Sequence, residues 1–154
     1  MNIISVLEGM VRLSASDLHL KVGVPPAVRV DGGLQPLDIP APTQEELIKV
    51  ADQILTPRQK KAFDDSKEVD FGFGVPGLSR FRCNFYVQRG TICMVFRRVP
   101  FNVPTFDELN LPATVRDLSM SPRGLILVTG TVGSGKSTTL AAMIQTINTT
   151  IRKS

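Results

Sequence analysis

Gly124-Leu125-Ile126-Leu127-Val128-Thr129-Gly130-Thr131-Val132-Gly133-Ser134-Gly135-Lys136-Ser137-Thr138-Thr139 decides how this chain is read. It opens with a short apolar, β-branched run behind a glycine, the pattern of a buried strand. Gly130 to Ser137 then spell G-x-x-x-x-G-K-S, the phosphate-binding loop pattern. Leu140, Met143, Ile144, Ile147 and Ile151 follow at helical spacing. Strand, glycine loop and helix arrive in the order that a phosphate cradle requires.

A triphosphate is a dense anion, and its host must bring many donors close without steric bulk. Gly130, Gly133 and Gly135 allow positive φ, so the loop around Ser134 can curl its N–H groups inward. A helix starting near Lys136 adds free amides and the positive end of its dipole. Lys136 is spaced to reach the β- and γ-phosphates, Ser137 to offer its hydroxyl to Mg²⁺, and Thr138 to bond the α-phosphate. Eight matching positions in the right structural context argue against a chance glycine-rich turn. ATP with Mg²⁺ is the expected cofactor.

The remaining composition narrows the class. The 154 residues are 42% hydrophobic and 21% charged, as expected of one compact domain or slightly more. No apolar run approaches the ~18 residues of a membrane span, and Met1 to Met10 carry Glu8 and no basic region, unlike a secretory signal. Two cysteines, Cys83 and Cys93, do not make a disulfide scaffold and suit a reducing compartment. The net charge of +4 is spread over scattered lysines and arginines. That pattern suits a solvated surface better than a nucleic-acid tract.

Ahead of the loop, residues 2–13 carry Ile3, Ile4, Leu7, Met10 and Val11 at helical spacing. Ser16 to Leu20 alternate as a short strand, and Pro25-Pro26 are expected to break the chain. Ala27 to Val30, the turn Asp31-Gly32 and Leu34 to Ile39 read as a hairpin. Thr43 with Glu46, Thr56 with Gln59, and Thr105 with Glu108 have capping-box spacing, so each predicts a helix start. Charges of both signs from Arg58 to Glu68 suit a solvated helix face. His19, the only histidine, lacks partners at ligand spacing and reads as structural and hydrogen-bonded rather than metal-binding.

Arg80 to Arg98 hold the second chemical signal. Phe81, Cys83, Phe85 and Val87 alternate with polar residues, as do Ile92, Met94 and Phe96. With Arg89-Gly90 as a two-residue turn, Gln88 pairs with Thr91, Phe85 with Met94 and Cys83 with Phe96. Arg82 then lies directly opposite Arg97. Guanidinium groups so placed repel unless a buried carboxylate stands between them or an anion arrives, and Asp70 on the preceding strand is the candidate carboxylate. The same register puts Cys83 and Cys93 on opposite faces, so no disulfide joins them.

These stretches together resemble the type II/IV secretion ATPase superfamily, and within it the PilT-like ATPases of type IV pilus retraction and twitching motility. The resemblance runs through Ala15 to Leu20, Pro25-Pro26, Arg29 to Gly32, Ser79 to Asn84, Val95 to Arg97, Pro122 to Gly130 and Gly133 to Met143. It implies an α/β chain with a PAS-like α+β domain built on an antiparallel sheet over 1–99 and a linker over 100–104. The opening strand, loop and helix of a RecA-like lobe would then occupy 105–154. It also implies a cytoplasmic hexameric ring, peripheral to the inner membrane at the pilus base and docked on the pilus platform protein. Arg82 and Arg97 match the arginines that reach the γ-phosphate, with Arg89 and Arg98 nearby.

Two departures qualify the match. Gly130-Thr131-Val132-Gly133 stands where the family usually has Gly-Pro-Thr-Gly. The family's acidic box, Walker B strand and histidine box have no counterpart, and Asp117 is the only carboxylate residue after Glu108. A fragment with weak or no hydrolysis of its own is the resulting expectation. A non-catalytic oligomerisation or docking module is the alternative. A small P-loop phosphotransferase is disfavoured by the roughly 120 residues that precede the loop.

Overall fold

A computed structural model describes residues 1–100, 103–131 and 133–150. Expectations placed on Phe101, Asn102, Val132 and Ile151 fall outside the described residues. The chain divides into two compact units, Met1–Phe101 and Asn102–Ser154.

In the first unit, helices α1 (Ile3–Arg12), α2 (Gln44–Ile54) and α3 (Pro57–Ser66) accompany six strands. These are β1 (Asp17–Lys21), β2 (Val24–Val30), β3 (Gly33–Pro36), β4 (Glu68–Val75), β5 (Ser79–Gln88) and β6 (Thr91–Val99). They form one antiparallel sheet in the order β3-β2-β1-β6-β5-β4. Two three-strand meanders are thus joined along β1 and β6, with α2 and α3 as the crossover between them.

Local chemistry explains the helix starts. Asn2 accepts from the Ile4 and Ser5 amides at the head of α1. Thr43 and Glu46 exchange side-chain and backbone bonds, as do Thr56 and Gln59, so both boxes open helices as expected. The Asp31-Gly32 and Arg89-Gly90 turns have both central residues at positive φ. That geometry matches the twist of the strands they join.

One face of the sheet is apolar and is buried. Leu18, Leu20, Val28, Phe81, Cys83, Phe85, Met94 and Phe96 pack with Ile3, Leu7 and Met10 of α1 and Leu47 and Val50 of α2. Phe85 meets Phe71 and Phe96 edge to face, with ring centres 5.1 and 5.5 Å apart. Fully burying such a side chain stabilises the fold by about 1.5–3 kcal/mol. Cys83 and Cys93 are free and buried on opposite faces, and burial pushes the Cys83 thiol up to about 12.

Pro25 and Pro26 do not break the chain; they lie inside β2. The β1–β2 register shifts between His19 and Lys21, so the prolines occupy the irregular part of the ladder, where a missing N–H costs little. The Pro26 carbonyl still accepts from Leu37 at 2.7 Å. The return strand is shorter than expected and ends at Pro36.

The second unit contains α4 (Ala113–Ser119) and α5 (Lys136–Thr150) around Phe106, Ala142 and Met143. Arg116 covers the Phe106 ring at 5.3 Å and donates to Asp107. Thr105 and Glu108 do exchange capping bonds, but only a turn follows them rather than an α-helix. One further expectation fails. Residues 124–129 are not a buried strand: Leu125 is 83% and Leu127 75% exposed. Among the described residues of this unit no strand is available to pair with them, and an unpaired β segment has no ladder to form. The helix predicted from the apolar ladder forms as α5, but the ladder is buried only in part: Met143 is buried beside Ala142 and Ile147 is half-buried, while Leu140 and Ile144 are exposed.

Candidate functional site

The glycine loop is curled. Gly130, Gly133 and Gly135 have φ of 151°, 81° and 88°, values that side chains resist. A Cβ at Gly130 would also meet Ser134 Oγ at 2.6 Å, so that hydroxyl would have to swing away. The Ser134 amide donates to the Thr131 carbonyl at 3.3 Å, and Thr139 donates to Gly135 at 2.8 Å, starting α5.

Lys136 turns back into this curve. Its Nζ donates to the Gly130 carbonyl at 3.0 Å and to that of Thr131 at 2.5 Å. A cation is thereby held on the concave side of the loop by weak neutral acceptors that an anion would outcompete. Ser137 and Thr138 are exposed in the first turn of α5, where backbone amides have no helical acceptor. Gly130, Ser134 and Lys136 are thus brought into one cradle, and its donor set fits a polyphosphate.

The open face of the sheet carries the second group. Arg82 and Arg97 are direct partners across β5 and β6, as the alternation predicts. A single buried carboxylate between them is not what the structure shows. Each arginine has its own partner. Arg82 donates from Nε and Nη2 to Asp70 at 2.9–3.1 Å, and this pairing raises its pKa. Asp70 itself is half-exposed.

Arg97 instead donates from Nε to Asp17 at 2.8 Å, and Arg29 Nε stands 3.6 Å from the same carboxylate. Burial opposes ionisation of Asp17, but the Ser16 hydroxyl and the Arg97 guanidinium outweigh it and hold the pKa below the ordinary value. His19 lies on the same face of β1, and its buried Nε2 has no hydrogen-bond partner among the described residues, so the expected hydrogen-bonded role is not what the structure shows. Burial lowers its pKa, Asp17 opposes that shift and Arg29 and Arg97 add to it. Asp17 was missed as a site residue because it appears only as a polar position in an alternating strand; its adjacency to Arg29 and Arg97 needs the sheet order. Arg98 alternates to the other face of β6, away from Arg82 and Arg97.

Asp70, Arg82, Asn84, Val95 and Arg97 line a recess of about 270 Å³. Among the described residues no cluster of His, Cys, Asp or Glu could hold a metal ion. No described helix is long and apolar enough to cross a membrane.

The comparisons with known proteins cover both halves of this description. Residues 97–153 match the family model described as type II/IV secretion system protein. The chain is 42% identical to the type IV pilus retraction ATPase PilT of Pseudomonas aeruginosa over 150 residues, 97% of this chain and 44% of that protein. It is 42% identical to a twitching motility protein of Neisseria gonorrhoeae over 126 residues, 81% of this chain and 33% of that protein. A crystal structure of the pilus retraction motor PilT with bound ADP superposes with a TM-score of 0.86 at 43% identity. That match covers 96% of this chain and 43% of the other. The chain therefore spans less than half the length of the relatives it matches. Its sequence and its fold place it in the type II/IV secretion ATPase family, among the PilT-like members.

Proposed function

We propose that this chain is the ATP-binding part of a motor ATPase subunit that powers type IV pilus retraction and twitching motility. In this reading the six-stranded unit is the PAS-like domain, and the second unit opens a RecA-like lobe. The subunits form a cytoplasmic hexameric ring at the inner face of the membrane, docked on the pilus platform protein. The observation that carries the reading is the Gly130–Thr138 curve with the Lys136 amine inside it.

Gly130, Gly133, Ser134 and Gly135 would hold the phosphates through backbone amides, Lys136 would neutralise the β- and γ-phosphates, and Thr138 would bond the α-phosphate. Ser137 would offer its hydroxyl to Mg²⁺, which would offset charge on the phosphoryl oxygens. Arg82 and Arg97 would stabilise charge on the transferring phosphoryl group. The relatives named above, one of them solved with ADP, support this assignment.

Calorimetric titration with ATP-Mg²⁺ tests it. The expected result is saturable heat that Lys136→Ala abolishes, with little turnover by this chain alone. Absence of heat in the unmodified chain would turn the assignment toward a docking module without nucleotide.

A further inference from the structure

Asp17 is the most enclosed of the carboxylates paired with arginine on the open face of the sheet. Its side chain is 6% exposed, against 46% for Asp70. Three groups converge on it: Ser16 Oγ at 2.7 Å, Arg97 Nε at 2.8 Å and Arg29 Nε at 3.6 Å. Arg97 belongs to β6 and Arg29 to β2, the two strands flanking β1, and Asp17 pairs in register with both. A carboxylate buried in this way does not give up its partners cheaply, since a charge left buried and unpaired is strongly destabilising.

The manner of holding matters more than its strength. A guanidinium has a side edge, made of Nε and one Nη, and an end edge made of both Nη atoms. Asp17 takes Arg97 at Nε, and Asp70 takes Arg82 at Nε and Nη2. Among the described residues, Arg97 Nη1 and Nη2 and Arg82 Nη1 donate to nothing. The whole end edge of Arg97 and the Nη1 of Arg82 are left over for a ligand, beside the recess that Asn84 and Val95 complete. An end edge with two parallel donors suits a phosphoryl group.

We propose that Asp17 is a positioning residue that aims the end edge of Arg97 at a phosphoryl group brought to this face. The proposal rests on the reading of Arg82 and Arg97 as phosphoryl-binding arginines. It makes a claim that charge counting opposes. Removing the Asp17 charge makes the face more cationic, which by net charge alone would tighten anion binding. If aim decides, binding weakens, because the long Arg97 side chain must then be ordered at the moment of capture.

The test uses the full chain, labelled with ¹⁵N, and follows the arginine Nε–H resonances during titration with inorganic pyrophosphate. Without pyrophosphate, Arg97 Nε–H is expected to be rigid in the unmodified chain and mobile in Asp17→Asn. With pyrophosphate, Arg82 and Arg97 shift together, the affinity at Arg97 falls about tenfold in Asp17→Asn, and Asp17→Glu recovers part of it. Ser16→Ala loosens the carboxylate without removing its charge and carries the same comparison if Asp17→Asn fails to fold.

An Asp17→Asn chain that keeps the core resonances of Phe81, Phe85 and Phe96, yet binds pyrophosphate at Arg97 as tightly or more tightly, overturns the proposal. A mobile Arg97 in the unmodified chain overturns the anchoring alone. A rigid Arg97 indifferent to pyrophosphate overturns the phosphoryl reading of the arginines, and the aim with it.

Discussion

Asp17 and Arg97 are partners across β1 and β6, and the Arg97 Nε–H donates to the Asp17 carboxylate at 2.8 Å. The two residues are 80 positions apart in the chain. Their contact joins the first strand of the sheet to the last, at the seam between the two meanders.

That seam should respond to acid in two stages. His19 has a folded pKa below its ordinary 6.5, because burial disfavours the imidazolium. The unfolded chain therefore takes up its proton first, so the stability linked to His19 is complete above that value and is lost as pH falls below it. The Asp17 pKa is also lowered, from an ordinary 3.8, so its contribution is present above that value and disappears as pH falls through the folded one. Urea midpoints are expected to decline from mildly acidic pH downward, with a second decline in strong acid. His19→Gln should remove the first stage only. A midpoint unchanged between about pH 7 and pH 5 in the unmodified chain would contradict a lowered His19 pKa in the fold.

Gly130 offers a test of the loop itself. Alanine there would need φ of 151° and would place its Cβ 2.6 Å from Ser134 Oγ. Gly130→Ala is expected to weaken ATP binding by tenfold or more, on the order of 1.4 kcal/mol, while circular dichroism of the chain stays unchanged. Equal affinity for both chains would mean that the loop does not use this geometry to receive phosphate.

Phe85 is the contact shared by two edge-to-face ring pairs and is fully buried. Phe85→Ala should cost about 3–5 kcal/mol, as large-to-small changes in packed cores do. Chemical denaturation would measure it, and a loss under about 1 kcal/mol would show that the site collapses around the gap.

The Thr43 hydroxyl accepts from the Glu46 amide at 3.2 Å, and Glu46 returns a bond to the Thr43 amide at 2.9 Å. Replacing Thr43 by Ala should destabilise the first unit by about 1 kcal/mol. Thr105 makes the same pair of bonds over a turn, with no helix attached. Thr105→Ala is therefore expected to cost less, and equal losses in denaturation would deny that a following helix matters.

The arginine pairing is legible in the sequence because it depends on two local facts, a period of two and a two-residue turn. Both act over a few neighbouring residues. Asp17 was not legible as a partner, since nothing near it in sequence reveals that β1 lies between β2 and β6. The capping boxes at Thr43 and Thr56 were readable for the same local reason. The segment from Leu125 to Val128 is not a strand despite its sequence, because apolar, β-branched composition reports a preference for a sheet, not the presence of strands to pair with. In α5, Leu140 and Ile144 had the right spacing, but which face of a helix is buried depends on its neighbour, here Phe106 beside Ala142 and Met143.

The Arg89-Gly90 turn lies at the tip of a two-strand ribbon, and Arg82 and Arg97 lie several residues back from it. Adding a single residue at that tip would rotate one strand by half a pleat, driving one guanidinium among the phenylalanines while the other stayed in water. The backbone of two residues with positive φ therefore acts as the gauge for a charge pair it never touches. Length at this corner, more than side-chain identity, is what an evolving or engineered variant must keep.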